Sequence, residues 1–489
     1  MRLFLAALAL SVQCFAAPDS HAAAVGDLKA HARVKDEIVA KYNDGDYKAI
    51  YALATERLKK EVSEKRFVGW LADSRAATGK IVDSSLVADL AQVKYFNLTG
   101  EKKSVRLELS AASEAQYHDF DLTDLPDPAA GRSRRMLSGN PNLSAIDRHV
   151  HAAVQAFVND PRNVGLAVGV LRQGERRIYR YGSGDLQARL LPADTLFEIA
   201  SITKTFAGTL LAMAVTENKL ALDDDVRRHL DGSYPNLEFQ GQPIRLKHLL
   251  NHSSGLPNLF PDKPEIFQTD DFDSLPQKII DSQKGYTRER FFDDLRKVEL
   301  RAAPGSRHRY SNVAADLLAI VLERVYRQSF DELVRSRLTA PLGMRDTVLR
   351  LSEDQRARLA SGYNEKGRKM PNNVAFTGAA GGLHSTAADL LAYLQFHLDE
   401  GNAAVALSHQ PTFGNLDEHA IGLNWQLKRT WQGHRKIWQT GGSFGFSSLA
   451  SCYPELGIAV VLLANESDPG TQQRLSELER DIVHRLLSI

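Results

Sequence analysis

Between residues 25 and 125 the apolar positions change period. Val34, Ile38, Val39 and Tyr42, then Tyr47, Ile50, Tyr51 and Leu58, recur at helical spacing, which predicts helices that bury one stripe. Further on, Val93-Lys94-Tyr95-Phe96-Asn97-Leu98 and Val105-Arg106-Leu107-Glu108-Leu109 flank the turn Thr99-Gly100-Glu101-Lys102, and the second run alternates apolar with polar residues. That pattern predicts two strands around a turn. Helices followed by an antiparallel sheet predict a small α+β module, placed at 25–125. Phe67, Trp70, Tyr95 and Phe96 are read as its core rather than as ligand contacts.

From Thr123 to Asn142 the apolar content drops, and Pro126, Pro128, Gly131, Gly139 and Pro141 stand among Arg132, Arg134 and Arg135. The stretch 126–141 therefore reads as a solvated linker, and a second domain is expected over 142–489. In it, Ile146 to Val158 predicts an amphipathic helix, followed by a strand pair at Val164 to Leu171 and Ile178 to Tyr181. Helices dominate from Phe206 to about Leu398. Strands return at Lys436 to Thr440, Phe446 to Tyr453 and Ile458 to Leu463, and a final helix carries Leu475, Leu478, Ile482, Val483, Leu486 and Leu487 on one stripe. Strands at both ends predict one sheet built from distant parts of the chain, with a helical subdomain inserted near residues 200–375.

The first residues change the picture of where the chain works. Met1 and Arg2 precede an apolar run from Leu3 to Ala17 and small residues around Ser20, Ala22 and Ala23, the layout of a secretory signal, placed at 1–22. The run falls short of the ~20 residues that span a bilayer, and no later stretch is long enough, so an exported, periplasmic or secreted protein without an integral membrane span is expected. Ser11-Val12-Gln13-Cys14 is a poor lipoprotein box. Lys plus Arg number 61 against 60 for Asp plus Glu, a formal net charge of +1. That balance gives no electrostatic reason to expect a nucleic acid partner. Of the two cysteines, Cys14 leaves with the signal, and Cys452 in a strand-like run reads as a buried thiol.

Chemistry concentrates at Ser201-Ile202-Thr203-Lys204, at the head of a helix whose apolar positions are Phe206, Leu210, Met213 and Ala214. Residues three apart share a helix face, so the lysine amine stands over the serine hydroxyl. A serine alcohol needs an adjacent base, and a lysine serves as one when burial lowers its pKa. Further along, Tyr310-Ser311-Asn312 follows Pro304-Gly305 and precedes a helix from Val313 to Tyr326. A phenol held near Ser and Lys can shuttle a proton and the Asn amide can hold a substrate carbonyl; the simpler explanation is a turn in which Asn312 caps the helix.

With these residues in view the chain resembles the class C β-lactamase, D,D-peptidase and esterase superfamily, the penicillin-binding-protein type of serine hydrolase. Its motifs stand in the family order as Ser201 to Lys204, Tyr310 to Asn312, and Gln439-Thr440-Gly441. His252-Ser253-Ser254-Gly255-Leu256-Pro257, Pro341-Leu342-Gly343-Met344 and Gly381-Gly382-Leu383-His384-Ser385-Thr386 match supporting segments of that family. The resemblance covers about residues 140–489. It implies an α+β, β-lactamase/transpeptidase-like domain, an antiparallel sheet flanked by helices with a helical subdomain. It also implies catalytic roles for Ser201, Lys204 and Tyr310, substrate contacts from Asn312, Gln439, Thr440, Gly441 and Gly442, and an oxyanion hole from the N–H groups of Ser201 and Gly442. The implied substrates are small molecules or peptides: D-amino-acid peptides of the cell wall, small esters or β-lactams. The N-terminal module resembles the nuclear-transport-factor-like modules found before exported hydrolases.

Gln439 departs from the pattern, which has Lys or His at that position. A cation there lowers the pKa of the active-site lysine and tyrosine and attracts a carboxylate; an amide does neither through charge. An uncharged acyl group near Gln439 is therefore expected. Arg435 and Lys436 lie upstream, but strand alternation sets Lys436 on the other face. The same departure supports the competing expectation, a catalytically weak or inactive member of the fold with a binding or regulatory role.

Two other motifs lack the context that their chemistry requires. Gly441-Gly442-Ser443-Phe444-Gly445 fits the nucleophile elbow G-x-S-x-G, but a strand rather than a helix is predicted after it. Among fifteen histidines none stands in H-E-x-x-H; His248 and His252 are four apart with Leu249 where the Glu belongs, and His149 and His151 point to different faces. No cofactor or metal is expected.

Overall fold

The computed structural model describes residues 21–90, 93–124, 138–158, 160, 163–186, 189–267, 274–374, 376–430, 432–468 and 470–488. The predicted signal up to residue 20 and the predicted linker over 126–137 lie outside the described residues. The chain divides into two units, Met1–Ser133 with Asp468–Arg474, and Arg134–Ser467 with Leu475–Ile489. No helix of the described residues is long and apolar enough to cross a membrane.

In the first unit, α1 (His21–Asp44), α2 (Tyr47–Ala52), α3 (Glu56–Glu61) and α4 (Glu64–Thr78) precede β1 (Ile81–Leu90), β2 (Val93–Gly100), β3 (Ser104–Ser113) and β4 (Gln116–Asp124). The strands form an antiparallel sheet in the order β1-β2-β3-β4. Val34, Ile38 and Tyr42 of α1 are buried with Ile50, Phe67, Phe96, Leu107, Leu109, Tyr117 and Phe120, so the helical stripe and the alternating strand meet in one core. Trp70 is half-buried, edge-on to Phe120; the side chain of Tyr95 lies outside the described residues. Strands β1 and β4 were not expected from sequence, and bulges explain why. The β3–β4 register shifts at Ala111, which buries both Tyr117 and Phe120, three apart, and breaks the alternation that marks a strand.

The second unit opens with α5 (Ala145–Val158), β5 (Gly165–Arg172) and β6 (Glu175–Gly182). Helices α6 (Thr203–Thr216), α7 (Leu246–Leu250), α8 (Asn312–Tyr326) and α9 (Ala387–His397) follow. The chain closes with β7 (Phe413–Asn415), β8 (His419–Ile421), β9 (Gln426–Arg429), β10 (Arg435–Gly442), β11 (Ser447–Tyr453), β12 (Ile458–Ala464) and α10 (Thr471–Leu486). Eight antiparallel strands stand in the order β7-β8-β9-β10-β11-β12-β5-β6, so the predicted single sheet from distant segments is present. On one face α5 and α10 lay Val154, Phe157, Leu475 and Ile482 over Leu166, Val168, Val460 and Leu462. On the other, Phe206, Leu210, Leu317 and Leu391 cover Ala167, Ile437, Ala450 and Val461. Every residue of β12 is buried, because both of its faces are covered; this is why it reads as an unbroken apolar run. The short strands β7, β8 and β9 at one end of the sheet had no such signal. Leu487, expected on the α10 stripe, is exposed just past the helix end.

Candidate active site

Ser201 stands in a 3₁₀ turn, Ala200–Ile202, that runs straight into α6. The turn is strained at Ala200, whose φ of 45° is in the left-handed region that a Cβ disfavours. Neighbouring elements hold it. The N–H of Ile199 donates to Leu383 O at 3.1 Å, Ser448 Oγ donates to Ile199 O at 3.0 Å, and the N–H of Leu383 donates to Thr203 Oγ1 at 3.2 Å. From Thr203 to Ala212 every residue of α6 is buried, so the helix has no solvent face and its lysine is drawn inside with it.

The structure brings three of the expected residues together. Lys204 Nζ donates to Ser201 Oγ at 3.0 Å and also to the carbonyl of Ala380, and the phenol oxygen of Tyr310 lies 2.6 Å from the same Ser201 Oγ. The ammonium sits 4.8 Å from the centroid of the Tyr310 ring. Ser201 is 6% exposed and Lys204 fully buried. Burial pushes the Lys204 pKa down to about 7, against the opposing pull of the Asp316 charge, so near neutrality the amine can accept a proton. Burial raises the Tyr310 pKa, while its hydrogen bond to Ser201 works the other way, and the phenol stays neutral and able to donate.

Asn312 is the first residue of α8, but it does not cap the helix. Ser311 does, its Oγ accepting the N–H of Ala314 at 3.0 Å, which corrects the simpler explanation of the Tyr-Ser-Asn run. The side chain of Asn312 is left for other work; its Nδ2 donates to Asn258 Oδ1 at 2.9 Å.

Gln439 is buried and uses both ends of its amide within the protein. Nε2 donates to the carbonyl of Asn424 at 2.7 Å, and Oε1 accepts the N–H of Thr440 at 2.9 Å. Its neighbours Thr440 and Gly442 are half-exposed at the end of β10, and Gly441 lies against the backbone of Ile199. Neither upstream cation replaces the missing one: Lys436 is paired with Glu479, and Arg435 with Glu400 and Glu455.

His252, read from sequence as part of a structural turn, proves to support Tyr310. The two rings stack with centroids 4.1 Å apart and an interplanar angle of 29°. Nδ1 accepts the N–H of Ser311 at 3.4 Å, so Nε2 carries the proton and donates to Asn424 Oδ1 at 3.0 Å. Burial, then the charges of His308 and Lys204, hold the ring neutral. Asn424 thereby joins Gln439 to the turn that carries Tyr310, a link with no sequence motif. The variant His252→Asn is expected to lower stability by about 2 kcal/mol, because Ser311 N–H and Asn424 Oδ1 lose their buried partner. Urea melts check this, and a midpoint equal to wild type would remove His252 from the support of Tyr310.

The two competing motifs do not form sites. Ser443 follows β10, and the chain leads into strand β11 rather than a helix, as the rejection of the elbow required. His248 Nδ1 accepts the N–H of Arg245 at 3.2 Å, and among the described residues no group of three His, Cys, Asp or Glu could hold a metal ion. Cys452 is a free, buried thiol on β11.

A family model described as Beta-lactamase matches residues 150–484. The D-alanyl-D-alanine-carboxypeptidase/endopeptidase AmpH of Escherichia coli (strain K12) is 28% identical over 343 residues, which cover 66% of this chain and 84% of that protein. A Beta-lactamase of Providencia stuartii is 26% identical over 385 residues, covering 69% and 93%. Among solved structures, a class C beta lactamase from Rhodobacter sphaeroides superposes with a TM-score of 0.58 at 23% identity, covering 70% of this chain and 99% of the other. A Beta-Lactamase/D-Alanine Carboxypeptidase from Pseudomonas syringae gives a TM-score of 0.57 at 20% identity, covering 71% and 99%; at these identities the likeness is one of fold. The matched segment contains Ser201, Lys204 and Tyr310 together with the sheet and helices that hold them, and the chain belongs to the beta-lactamase family.

Proposed function

We propose that the protein is an exported serine hydrolase that opens ester or amide bonds through an acyl intermediate on Ser201. The observation that carries this reading is the position of Ser201 Oγ, 3.0 Å from Lys204 Nζ and 2.6 Å from the Tyr310 hydroxyl. Neutral Lys204 takes the proton from Ser201 as Oγ attacks the carbonyl carbon; Tyr310 gives its proton to the leaving group as the scissile bond breaks and regains one from the Lys204 ammonium, which leaves both groups neutral. The N–H groups of Ser201 and Gly442 receive the developing oxyanion, and Asn312 orients the acyl portion of the substrate. Water then attacks the ester with the same groups returning the proton. The substrate classes that fit are D-amino-acid peptides of the cell wall, small esters and β-lactams.

Within that set, Gln439 selects against a terminal carboxylate. Its amide is engaged by Asn424 and Thr440, and Lys436 and Arg435 are paired elsewhere, so none of these residues presents a free cation to the acyl group. Esters, and amides without a terminal carboxylate, are therefore the preferred substrates. Gln439→Lys is expected to raise the rate of acylation by penicillin at least about fivefold relative to a neutral ester, through a charge worth about 1 kcal/mol or more. Stopped-flow comparison of the two substrates reads it, and an unchanged ratio would show that charge at 439 does not set the preference. The second reading, a weak or inactive binding protein, rests on Gln439 alone.

The α+β unit of residues 25–125 belongs to this proposal as a nuclear-transport-factor-like module, supported by its helices preceding a four-stranded antiparallel sheet. The test of the central claim is intact-protein mass after incubation with a fluorophosphonate, a p-nitrophenyl ester and a penicillin, followed by peptide mapping. An adduct on the Ser201 peptide is the expected result. Absence of any adduct and of any turnover would leave the binding-protein reading.

A further inference from the structure

Asp316 lies one helical turn beyond Asn312 on α8, in a run from Val313 to Leu322 where every residue is buried and every other one is apolar. A buried carboxylate needs partners, and its partners here lead to the nucleophile. Oδ1 of Asp316 accepts both the hydroxyl and, at 3.4 Å, the N–H of Thr377. Thr377 Oγ1 in turn accepts the N–H of Ala379 at 3.2 Å, and Gly378 O accepts the N–H of Gly382 at 2.8 Å. Two residues on in this turn, the carbonyl of Ala380 receives Lys204 Nζ.

We infer that Asp316 is a positioning residue for Lys204: it fixes the turn that presents the Ala380 carbonyl to the ammonium and supplies the counter-charge for it. The inference rests on the proposed Ser201–Lys204 chemistry and extends it to the control of the base. The titratable groups that face Lys204 are Asp316 on α8, Tyr310 just before α8 and His252 in the turn after α7. Tyr310 and His252 are both neutral near pH 7, which leaves Asp316 as the anion of the set. Burial of Lys204 favours the free amine, and the Asp316 carboxylate favours the ammonium. Burial raises the Asp316 pKa to about 6 while Thr377 opposes the rise, so the two groups titrate as a pair near neutrality.

The reactive form needs Lys204 without its proton, so kcat/KM for a neutral ester rises with pH along a limb that belongs to the pair. Removing the anion takes away what favours the ammonium, and the limb moves to lower pH.

The experiment is the pH profile of p-nitrophenyl ester hydrolysis by wild type, Ser201→Ala, Asp316→Asn, Thr377→Val and Thr377→Ser, each checked for its thermal midpoint. Asp316→Asn keeps an acceptor for Thr377 and loses the charge, and its limb is expected about one unit lower. Thr377→Val leaves the carboxylate without its hydroxyl donor, which favours its neutral form, and shifts the limb in the same direction; Thr377→Ser restores the wild-type limb. A limb unmoved in Asp316→Asn, or in Thr377→Val should the first variant not fold, would overturn the inference while leaving the serine chemistry intact. Wild-type turnover no greater than that of Ser201→Ala would instead overturn the parent reading and the inference with it.

Discussion

Ser201→Ala and Lys204→Met are each expected to lower ester hydrolysis by at least about a thousandfold, with the double variant no slower than either alone. The equality is the informative part. Lys204 Nζ, Tyr310 OH and Ser201 Oγ share one set of contacts, so the base has nothing to act on without the nucleophile, and the nucleophile stays an alcohol without the base. Groups that work as a unit are non-additive in this way. Methionine fills the buried volume of lysine without its charge and removes a desolvated ammonium, so the fold should survive; thermal midpoints confirm that the loss is chemical. A double variant slower by the product of the two single losses would show that Lys204 acts on something other than Ser201.

Gly441→Ala is the second large effect, and it strikes geometry instead of chemistry. A Cβ at this position would overlap Ile199 O and Ser448 Oγ. Ile199 O is backbone and cannot swing aside. The methyl must push β10 away from the turn that carries Ser201, moving Gly442 with it. Overpacking of this kind costs about 1–3 kcal/mol, and an ångström of displacement at an oxyanion donor costs about a hundredfold in rate. Calorimetry and ester turnover measured together check both. A variant with wild-type turnover would mean that the N–H of Gly442 is not part of the oxyanion hole.

The parts of this molecule that could be read from the chain are those where one residue type answers to one environment. Lys204 three residues after Ser201 was enough to stack amine on hydroxyl, and this holds even though the first turn is 3₁₀ and Ser201 precedes the α-helix proper. The runs at β5, β11 and β12 were legible because both faces of the central strands are covered. What escaped has physical reasons of its own. The Ala380 carbonyl that holds Lys204 is backbone, and no side chain announces it. Asn424 and Asn258 look like ordinary turn residues until Gln439, His252 and Asn312 are seen to end on them. Asp316 did leave a trace, one acid inside a wholly apolar helical run, the pattern in which a buried charge must have a task.

The order of strands in the large sheet also bears on how the enzyme comes into being. Val168 of β5 pairs with Leu462 of β12, so the earliest strand of the unit finds its central neighbour only when nearly the whole chain is present. Contacts this remote in sequence are slow to form, since the loop must close before any of them contributes. A nascent chain stopped before β12 has its Ser201 and Lys204 but lacks the strand that joins β5–β6 to β7–β11 in one sheet. Activity should therefore appear late and all at once, only after β12 has been made.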